Sequence, residues 1–414
     1  MEKLALEGGS PVRATSFPAR AHIGAEEKAA VDALFDEAIA TGVAPGYNGR
    51  EEEAYCAEFS AYLGGGYTDA VSSGTAALYA ALRALDLPPF SEVIVGAVTD
   101  PGGMMPIPLL NLIPMVADTA PGSYNTGAEQ VAELLSPRTR AVVVPHIGGE
   151  PAAVADIVQL AKARDLFVIE DCSQSHGARL NGQLLGTFGD IGVFSTMFGK
   201  HHSSGGQGGL VTTQDEELYQ TIRRASDRGK PFFLPQEATN QFASLNLNLN
   251  EIAAAIGRVQ LLKLPEMVRR RQTVVAELRE GLRELDTVSV PVLVDGAEAS
   301  YWFLRMRFHA EAARVNKLTF CQALNAEGLP VSPDYRAALP HTMDWFVERR
   351  VFGRSGYPWA SPDYEGDPDR TFPCPNADAV MGTHFNVAVH EAWGPQEVTD
   401  AVAIFCKVEA AYHA

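Results

Sequence analysis

The sequence is poor in cysteine and in long apolar runs. Its 414 residues include five cysteines, with no C-x-x-C pair among them, so we expect reduced and mostly buried thiols. No apolar run reaches the roughly 20 residues that a membrane-spanning helix needs. The opening residues also lack the apolar core of a signal peptide. We therefore expect a soluble cytoplasmic protein that does not contact a membrane.

Basic residues are also scarce. The chain has 33 Lys and Arg against 51 Asp and Glu, which gives a net charge of −18. Nucleic-acid binding depends largely on Lys and Arg contacts to phosphate, so this composition disfavours a nucleic-acid partner. A small phosphorylated ligand needs only a local site and is still allowed.

Strand-like apolar runs alternate with helical patterns between residues 71 and 213. The runs are 93–95, 115–117, 141–145, 166–169, 191–195 and 209–213, and helical patterns such as 75–85 and 153–163 lie between several of them. This alternation predicts an α/β fold with a mainly parallel central sheet sandwiched by helices. Ligands of such sheets bind outside the carboxyl ends of the strands.

The C-terminal part has a different pattern. A long helical pattern over 251–284, interrupted at Pro265, leads to a strand at 300–308 and helices at 310–327 and 396–411. We predict a large domain over 1–265 and a smaller α+β domain over 266–414. The stretch 340–375 is rich in Pro, Gly, Asp and aromatic residues, which is typical of a long ordered loop. Such a loop either helps to select a substrate or packs as a structural element.

One lysine has an unusual sequence context. Apart from Arg179, Lys200 is the only long basic side chain in residues 171–209; an apolar run precedes it and a Gly-rich turn follows it. Upstream, another apolar run ends at Asp171. An amine and a carboxylate at the ends of neighbouring strands suit a pyridoxal phosphate (PLP) enzyme, where lysine forms a Schiff base and an acid pairs with the ring nitrogen. Alternatively, Lys200 is a solvated surface lysine and Asp171 a turn residue.

A phosphate site is predicted at residues 71–78, which read VSSGTAAL. Gly74 permits close approach of the backbone, and the amides of Thr75 and Ala76 would be free at a helix N-terminus, where the helix dipole favours an anion. The alternative is an ordinary Ser/Thr N-cap. Ser195, five residues before Lys200, could donate to the same phosphate.

Two further groups of polar residues are a pair of histidines and a row of asparagines. His201 and His202 are adjacent and have no flanking ligand cluster, so we predict no metal site. Asn246, Asn248 and Asn250 alternate with leucines. This period of two predicts a short strand with an amide face, or, for Asn250 alone, a helix N-cap.

Together these segments resemble the DegT/DnrJ/EryC1/StrS family of PLP-dependent sugar aminotransferases, which have fold type I. The family patterns match at 72–78, at 170–178 and at 189–200. The resemblance implies that Asp171 pairs with the pyridine nitrogen, Gln174 contacts the ring hydroxyl, Ser195 contacts the phosphate and Lys200 forms the Schiff base.

A further family motif, Gly-x-Asn-x-Arg-Met, aligns with residues 244–249. In the family this motif reaches the cofactor phosphate across a dimer interface. The resemblance therefore implies a homodimer with active sites at the interface, in which Asn246 contacts the partner's cofactor.

The chain departs from the family pattern at several positions. Asp100 stands where an aromatic residue usually stacks on the cofactor ring, so an acid is expected beside the cofactor. Asn248 and Ala253 replace the family's Arg and Gln, and Glu150 replaces a Gln. These changes leave the PLP assignment intact but do not favour the usual sugar-nucleotide substrate.

The resemblance implies transfer of an amino group from glutamate or glutamine to a keto-sugar or keto-cyclitol, in antibiotic or other secondary-metabolite biosynthesis. The opening residues LALEGGSPVR resemble a branch of the family that includes cyclitol aminotransferases. Family members that dehydrate deoxysugars include a branch with His in place of this lysine, so Lys200 favours transamination. The alternatives are elimination, dehydration or cyclisation by a PLP enzyme of the same fold, and a PLP-binding regulatory protein.

Overall fold

The computed structural model describes residues 2–414. Its strands are β1 (Tyr67–Val71), β2 (Glu92–Gly96), β3 (Ile113–Ala117), β4 (Thr139–Pro145), β5 (Phe167–Asp171), β6 (Arg179–Leu180), β7 (Gln183–Leu184), β8 (Ile191–Ser195), β9 (Gly209–Thr213), β10 (Val288–Ser289), β11 (Ala297–Glu298), β12 (Leu304–Phe308), β13 (Val331–Ser332) and β14 (His384–Val387). The helices are α1 (Ala25–Thr41), α2 (Arg50–Leu63), α3 (Gly74–Ala84), α4 (Pro106–Leu109), α5 (Ala128–Ala132), α6 (Val154–Lys162), α7 (Glu216–Ser226), α8 (Glu251–Gly281), α9 (Lys317–Ala326), α10 (Asp344–Val347), α11 (Pro375–Thr383) and α12 (Pro395–Tyr412).

A seven-stranded sheet forms the centre of the larger core. Its strand order is β1-β9-β8-β5-β4-β2-β3, and the pairs from β8 to β3 are parallel. Only β9 runs against its neighbours β1 and β8. The predicted mainly parallel sheet is confirmed. Strands β2, β3, β8 and β9 are buried along their whole length, as expected for a sheet covered on both faces.

The pairing register of β9 places the carboxyl ends of β1 and β8 on either side of its first residue. Gly209 pairs with Val71 on one side and with Ser195 on the other. Because β9 is antiparallel to both neighbours, β1 and β8 run in the same direction. Their carboxyl ends therefore lie at one edge of the sheet, together with that of β5, which is parallel to β8.

A second core lies around the four-stranded sheet β10-β12-β14-β13. It includes Leu4 from the N-terminal segment, the C-terminal half of α8, and buried residues of α9 and α12. The predicted helix over 310–327 is a short 3₁₀ turn followed by α9, because Asn316 accepts from the Thr319 amide at 2.9 Å and caps a new helix start. The predicted strand over 300–308 begins at Leu304.

The predicted interruption at Pro265 is wrong, since α8 continues from Glu251 to Gly281 through this proline. A proline inside a helix removes one backbone hydrogen bond. Leu261, Leu264 and Met267 are buried around it, and this packing offsets the loss. The helix therefore links the two cores without a break.

The aromatic-rich stretch 340–375 packs mainly against the larger core. Phe346, Trp359 and Tyr364 are buried in that core, and the Tyr364 hydroxyl donates to Glu92 at 3.2 Å. The predicted division into domains at residue 265 stays a prediction. Among residues 2–414, no helix has the length and apolar composition needed to cross a membrane.

Candidate active site

The carboxyl ends of β5 and β8 and the N-terminus of α3 surround a cavity of about 230 Å³. Of the residues predicted for the site, all but Asn246 line this cavity: Gly74, Thr75, Asp100, Asp171, Gln174, Ser195 and Lys200. The fold therefore brings together side chains that are up to 126 positions apart between Gly74 and Lys200.

Lys200 is buried, with 7% of its surface exposed. Burial lowers the pKa of Lys200 to about 8, while Asp171 and Asp100 act in the opposite direction. A lysine with this pKa has a larger neutral fraction near pH 7 than a solvated lysine, so it is a better nucleophile. The alternative of a solvated surface lysine is wrong.

Two distant residues, which the sequence did not identify, hold the backbone around Lys200. Arg20 donates to the carbonyl oxygen of Lys200 and, at 2.5 Å, to that of His201. The indole Nε1–H of Trp302 donates to the carbonyl oxygen of Gly199 at 3.0 Å. The Lys200 Nζ also lies 3.9 Å from the centroid of the Trp302 ring.

Asp171 is the last residue of β5, and one of its carboxylate oxygens accepts a hydrogen bond. Its Oδ1 accepts from the Ser173 amide at 3.0 Å, as a turn-forming aspartate would. Its Oδ2 faces Gly103, where an added Cβ would lie 3.2 Å away. Asp171 therefore supports a turn and still directs one oxygen towards a cavity-lining segment.

The N-terminus of α3 closely approaches the end of β8. A Cβ added to Gly74 would lie 2.6 Å from the Cβ of Ser195, so this contact requires glycine. The expectation of a free Ala76 amide is wrong, because Ser73 Oγ accepts from it at 3.0 Å and caps the helix. The amides of Gly74 and Thr75 have no acceptor within the helix, so they are the donors that an anion could use.

Gln174 is held by hydrogen bonds through both atoms of its amide. Its Oε1 accepts from the Gly148 amide at 2.9 Å, and its Nε2 donates to the Tyr335 hydroxyl at 3.2 Å. This arrangement leaves a second N–H on Nε2 for a ligand.

Asp100 begins a short turn at the edge of the cavity. Its Oδ1 accepts from the Gly102 amide at 2.8 Å and caps the 3₁₀ turn Pro101–Gly103. The residue itself is exposed. An acid at this position therefore also shapes the cavity wall, besides placing negative charge near Lys200.

Asn246 is exposed and is not among the residues that line the cavity. Its Oδ1 accepts from Asn248 Nδ2 at 2.6 Å. The predicted short strand consists instead of isolated bridges, Val71 with Asn248 and Asp227 with Asn246. Asn250 caps α8 by accepting from the Ala253 amide at 2.9 Å, as predicted.

Potential metal ligands near the site have other partners. His146, Glu170 and Cys172 place ligand atoms within 4.8 Å of one another. Glu170, however, accepts from the amides of Gly186 (2.9 Å), Phe188 (2.6 Å) and Gly189 (2.9 Å) and contacts His146 Nε2 at 3.3 Å. Its carboxylate therefore fixes the chain between β7 and β8.

The donor set of the cavity fits PLP, which carries a reactive aldehyde, a ring nitrogen, a ring hydroxyl and a phosphate. The cavity offers the Lys200 amine, the Asp171 carboxylate and the Gln174 amide, with the glycine-lined N-terminus of α3 as an anion site. Lys200, Asp171 and the α3 N-terminus are the groups that would hold it.

Comparison with known proteins agrees with this chemistry. Residues 23–358 match the DegT/DnrJ/EryC1/StrS aminotransferase family. The L-glutamine:2-deoxy-scyllo-inosose aminotransferase of Micromonospora echinospora is 32% identical over 298 residues, covering 69% of this chain and 70% of that protein. The dTDP-4-dehydro-2,6-dideoxy-D-glucose 3-dehydratase of Saccharopolyspora spinosa is 28% identical over 353 residues, covering 77% and 74%.

A solved structure gives the same assignment. The aminotransferase TlmJ from Streptoalloteichus hindustanus superposes with a TM-score of 0.78 at 27% identity, covering 94% of this chain and 97% of that one. The predicted fold type I and the predicted cofactor are therefore confirmed. The chain belongs to the DegT/DnrJ/EryC1/StrS aminotransferase family and is a PLP-dependent aminotransferase.

Proposed function

We propose that this protein transfers an amino group from glutamine or glutamate to a keto-cyclitol or keto-sugar in secondary-metabolite biosynthesis, including that of antibiotics. The observation that carries the proposal is the shared cavity of Lys200, Asp171 and the α3 N-terminus. The similarity to a glutamine-dependent inosose aminotransferase supports the cyclitol as acceptor.

Bound PLP supplies a carbonyl carbon that takes up amino groups and a protonated ring that withdraws electrons from the neighbouring carbon. Lys200 Nζ would hold the cofactor, and the free Lys200 amine would move a proton as general base and acid. Its lowered pKa, about 8, suits both roles near neutral pH.

The other cavity residues bind and orient. The Asp171 carboxylate would keep the ring nitrogen protonated. Gln174 would contact the ring hydroxyl, and Gly74, Thr75 and Ser195, which line the cavity at the start of α3, would bind the phosphate. Asp100 lines the same cavity and places a negative charge near Lys200.

The active form is a cytoplasmic homodimer with active sites at the interface. Asn246 is exposed and lies outside the cavity of its own subunit. In the dimer Asn246 would contact the cofactor phosphate of the partner subunit.

The half-reaction tests this function. The holoenzyme is mixed with L-glutamine or L-glutamate in the absence of an acceptor, and the amino form of the cofactor and the keto acid are quantified. An aminotransferase produces both in amounts equal to the active sites. Keto-cyclitols and keto-sugars, with and without a nucleotide, are then tested for return of the aldehyde form.

A Lys200→Ala protein is the matched variant for this assay. It should bind PLP without a covalent bond to the chain, because no other amine lines the cavity among residues 2–414. Covalent PLP in that variant would show that the lysine is assigned incorrectly.

Dehydration of a deoxysugar is the second candidate, because a relative of this chain is a dehydratase and Asp100 stands at the expected stacking position. A dehydratase would release water from a 4-keto-sugar. Loss of a hydroxyl from such a sugar, with no keto acid formed from either amino donor, would favour this second candidate.

A further inference from the structure

The amine of Lys200 has an aromatic neighbour in an unusual position. Its Nζ lies 3.9 Å from the centroid of the Trp302 ring, a distance typical of a cation–π contact. Asp171 and Asp100 act on the amine through their charge, but no salt bridge of 4.0 Å or less joins either of them to Lys200 among residues 2–414. Trp302 is thus the close partner of this amine within the chain.

The Trp302 ring is fixed in orientation by its own hydrogen bond. Its Nε1–H donates to the carbonyl oxygen of Gly199 at 3.0 Å, the residue before Lys200. This hydrogen bond links the indole to the turn that carries Lys200, with the ring face towards Nζ.

One buried carboxylate connects the backbones of both partners. Glu391 accepts from Arg20 Nε at 2.6 Å and from Arg271 Nε at 2.7 Å. Arg20 donates to the carbonyl oxygen of Lys200, and Arg271 donates to that of Tyr301 at 2.7 Å, next to Trp302. The backbone segments that carry the amine and the indole are thus both held by arginines that bind the same carboxylate.

We propose that Trp302 is a positioning residue that receives the free amine of Lys200 on its ring face whenever the lysine is not bonded to the cofactor. This inference rests on the proposed role of Lys200. The ring attracts the protonated amine without the tight ion pair that a carboxylate would form. The ring face therefore holds the amine at the cavity that Lys200 lines.

Other charged groups also act on the amine. Asp171 and Asp100 favour the protonated form of the amine. Burial lowers the pKa of His176 well below its usual value, and the positive charge of Lys200 lowers it further. Arg20 approaches only the backbone of the turn. The contribution of Trp302 must therefore be measured with these groups unchanged.

The test measures the titration of Lys200 in the full-length protein freed of cofactor. Competitive acetylation at a series of pH values, followed by mass spectrometry of the Lys200 peptide, gives its apparent pKa. Trp302→Phe and Trp302→Leu both lose the hydrogen bond to Gly199, but only Leu lacks a ring. We expect Trp302→Leu to lower the apparent pKa by about 0.5 to 1 unit and Trp302→Phe by less than half of that.

Fluorinated tryptophan provides a second measurement that does not depend on a folded Leu variant. The chain has four tryptophans. Fluorination reduces the negative potential of the indole ring face and nearly preserves the shape of the ring. The apparent pKa of Lys200 should fall stepwise with the number of fluorines. An unchanged pKa, or equal shifts in the Phe and Leu variants, would overturn the inference.

The two proposals fail differently. If Lys200→Ala still binds PLP covalently, Lys200 is not the attachment site, and the proposed role of Trp302 is then also wrong. If covalent attachment requires Lys200 but the pKa of its amine does not depend on the Trp302 ring, only the proposed role of Trp302 is wrong.

Discussion

Glu150 and Arg305 form a buried ion pair, with 2.8 Å between Glu150 Oε2 and Arg305 Nη2. Arg305 belongs to β12 in the second core, and Glu150 follows β4 in the larger one. The backbone carbonyl of Glu150 accepts from Asn125, which in turn accepts from the amide of Ile147 at the cavity. The pair therefore connects the small sheet to the wall of the active site, and it explains the acid found where the family pattern has Gln.

Removing one member of this pair should destabilise the protein. Both residues are at least 95% buried, so Arg305→Met leaves a buried carboxylate without its partner, at a cost of about 3 to 5 kcal/mol. The double variant Glu150→Gln/Arg305→Met should lose less free energy of unfolding than Arg305→Met alone. Urea unfolding of the holoenzymes measures the difference, and additive effects of the two substitutions would contradict a direct pair.

Gly74→Ala should weaken cofactor binding. The new Cβ would lie 2.6 Å from Ser195 Cβ, so the N-terminus of α3 would have to move away from β8, and its amides would leave the proposed phosphate site. We expect PLP affinity to fall on the order of tenfold or more, since overpacking of this kind costs about 1 to 3 kcal/mol. Equilibrium dialysis of PLP against the full-length chain measures it.

Gly382→Ala is the control for this substitution. Gly382 lies within α11, and an added Cβ there has nothing within 4 Å. Alanine at that position should leave PLP affinity unchanged and stabilise the helix by about 0.5 to 1 kcal/mol. Equal losses of affinity in both variants would mean that the contact with Ser195 is unimportant.

The rate of covalent PLP attachment should depend on pH through Lys200. Only the neutral amine attacks the aldehyde, so the rate should rise with pH and level off above the pKa of Lys200, about 8. Borohydride trapping at each pH measures the rate. A midpoint near that of a solvated lysine, about 10.4, would show that the amine is not buried.

Asp100→Asn should move this midpoint downwards. The Asp100 carboxylate raises the pKa of Lys200 against the effect of burial, and its removal should lower the midpoint by a few tenths of a unit. Asparagine can still accept from the Gly102 amide. Asp215→Asn, which alters a helix cap outside the cavity, is the control and should leave the midpoint unchanged.

The local parts of the site were readable from the sequence. Most strands of the central sheet contain a short apolar run between turn residues, because strands such as β2, β3, β8 and β9 are buried on both faces. Lys200, Asp171 and Gly74 lie at or near the ends of these elements, so their convergence followed from the rule that parallel strands end at one edge. The N-cap at Asn250 was equally local.

The errors also have physical causes. The sequence alone marked Pro265 as a break, but the buried residues around it stabilise α8. The Ala76 amide was expected to be free, but the nearer Ser73 hydroxyl captures it. In both cases a contact with neighbouring side chains determined the local structure. The helix propensity of the residues does not show which of these contacts forms.

The sequence by itself predicted the mainly parallel sheet, the cofactor and the lysine that we propose binds it, because strand periodicity and short motifs are local properties of the chain. Only the tertiary structure identified Arg20, Trp302 and Arg305 as partners of the site. Arg20 is 180 positions from Lys200, Trp302 is 103 from Gly199, and Arg305 is 155 from Glu150. Contacts at such separations leave no periodic signal, since they exist only after the two cores pack against each other.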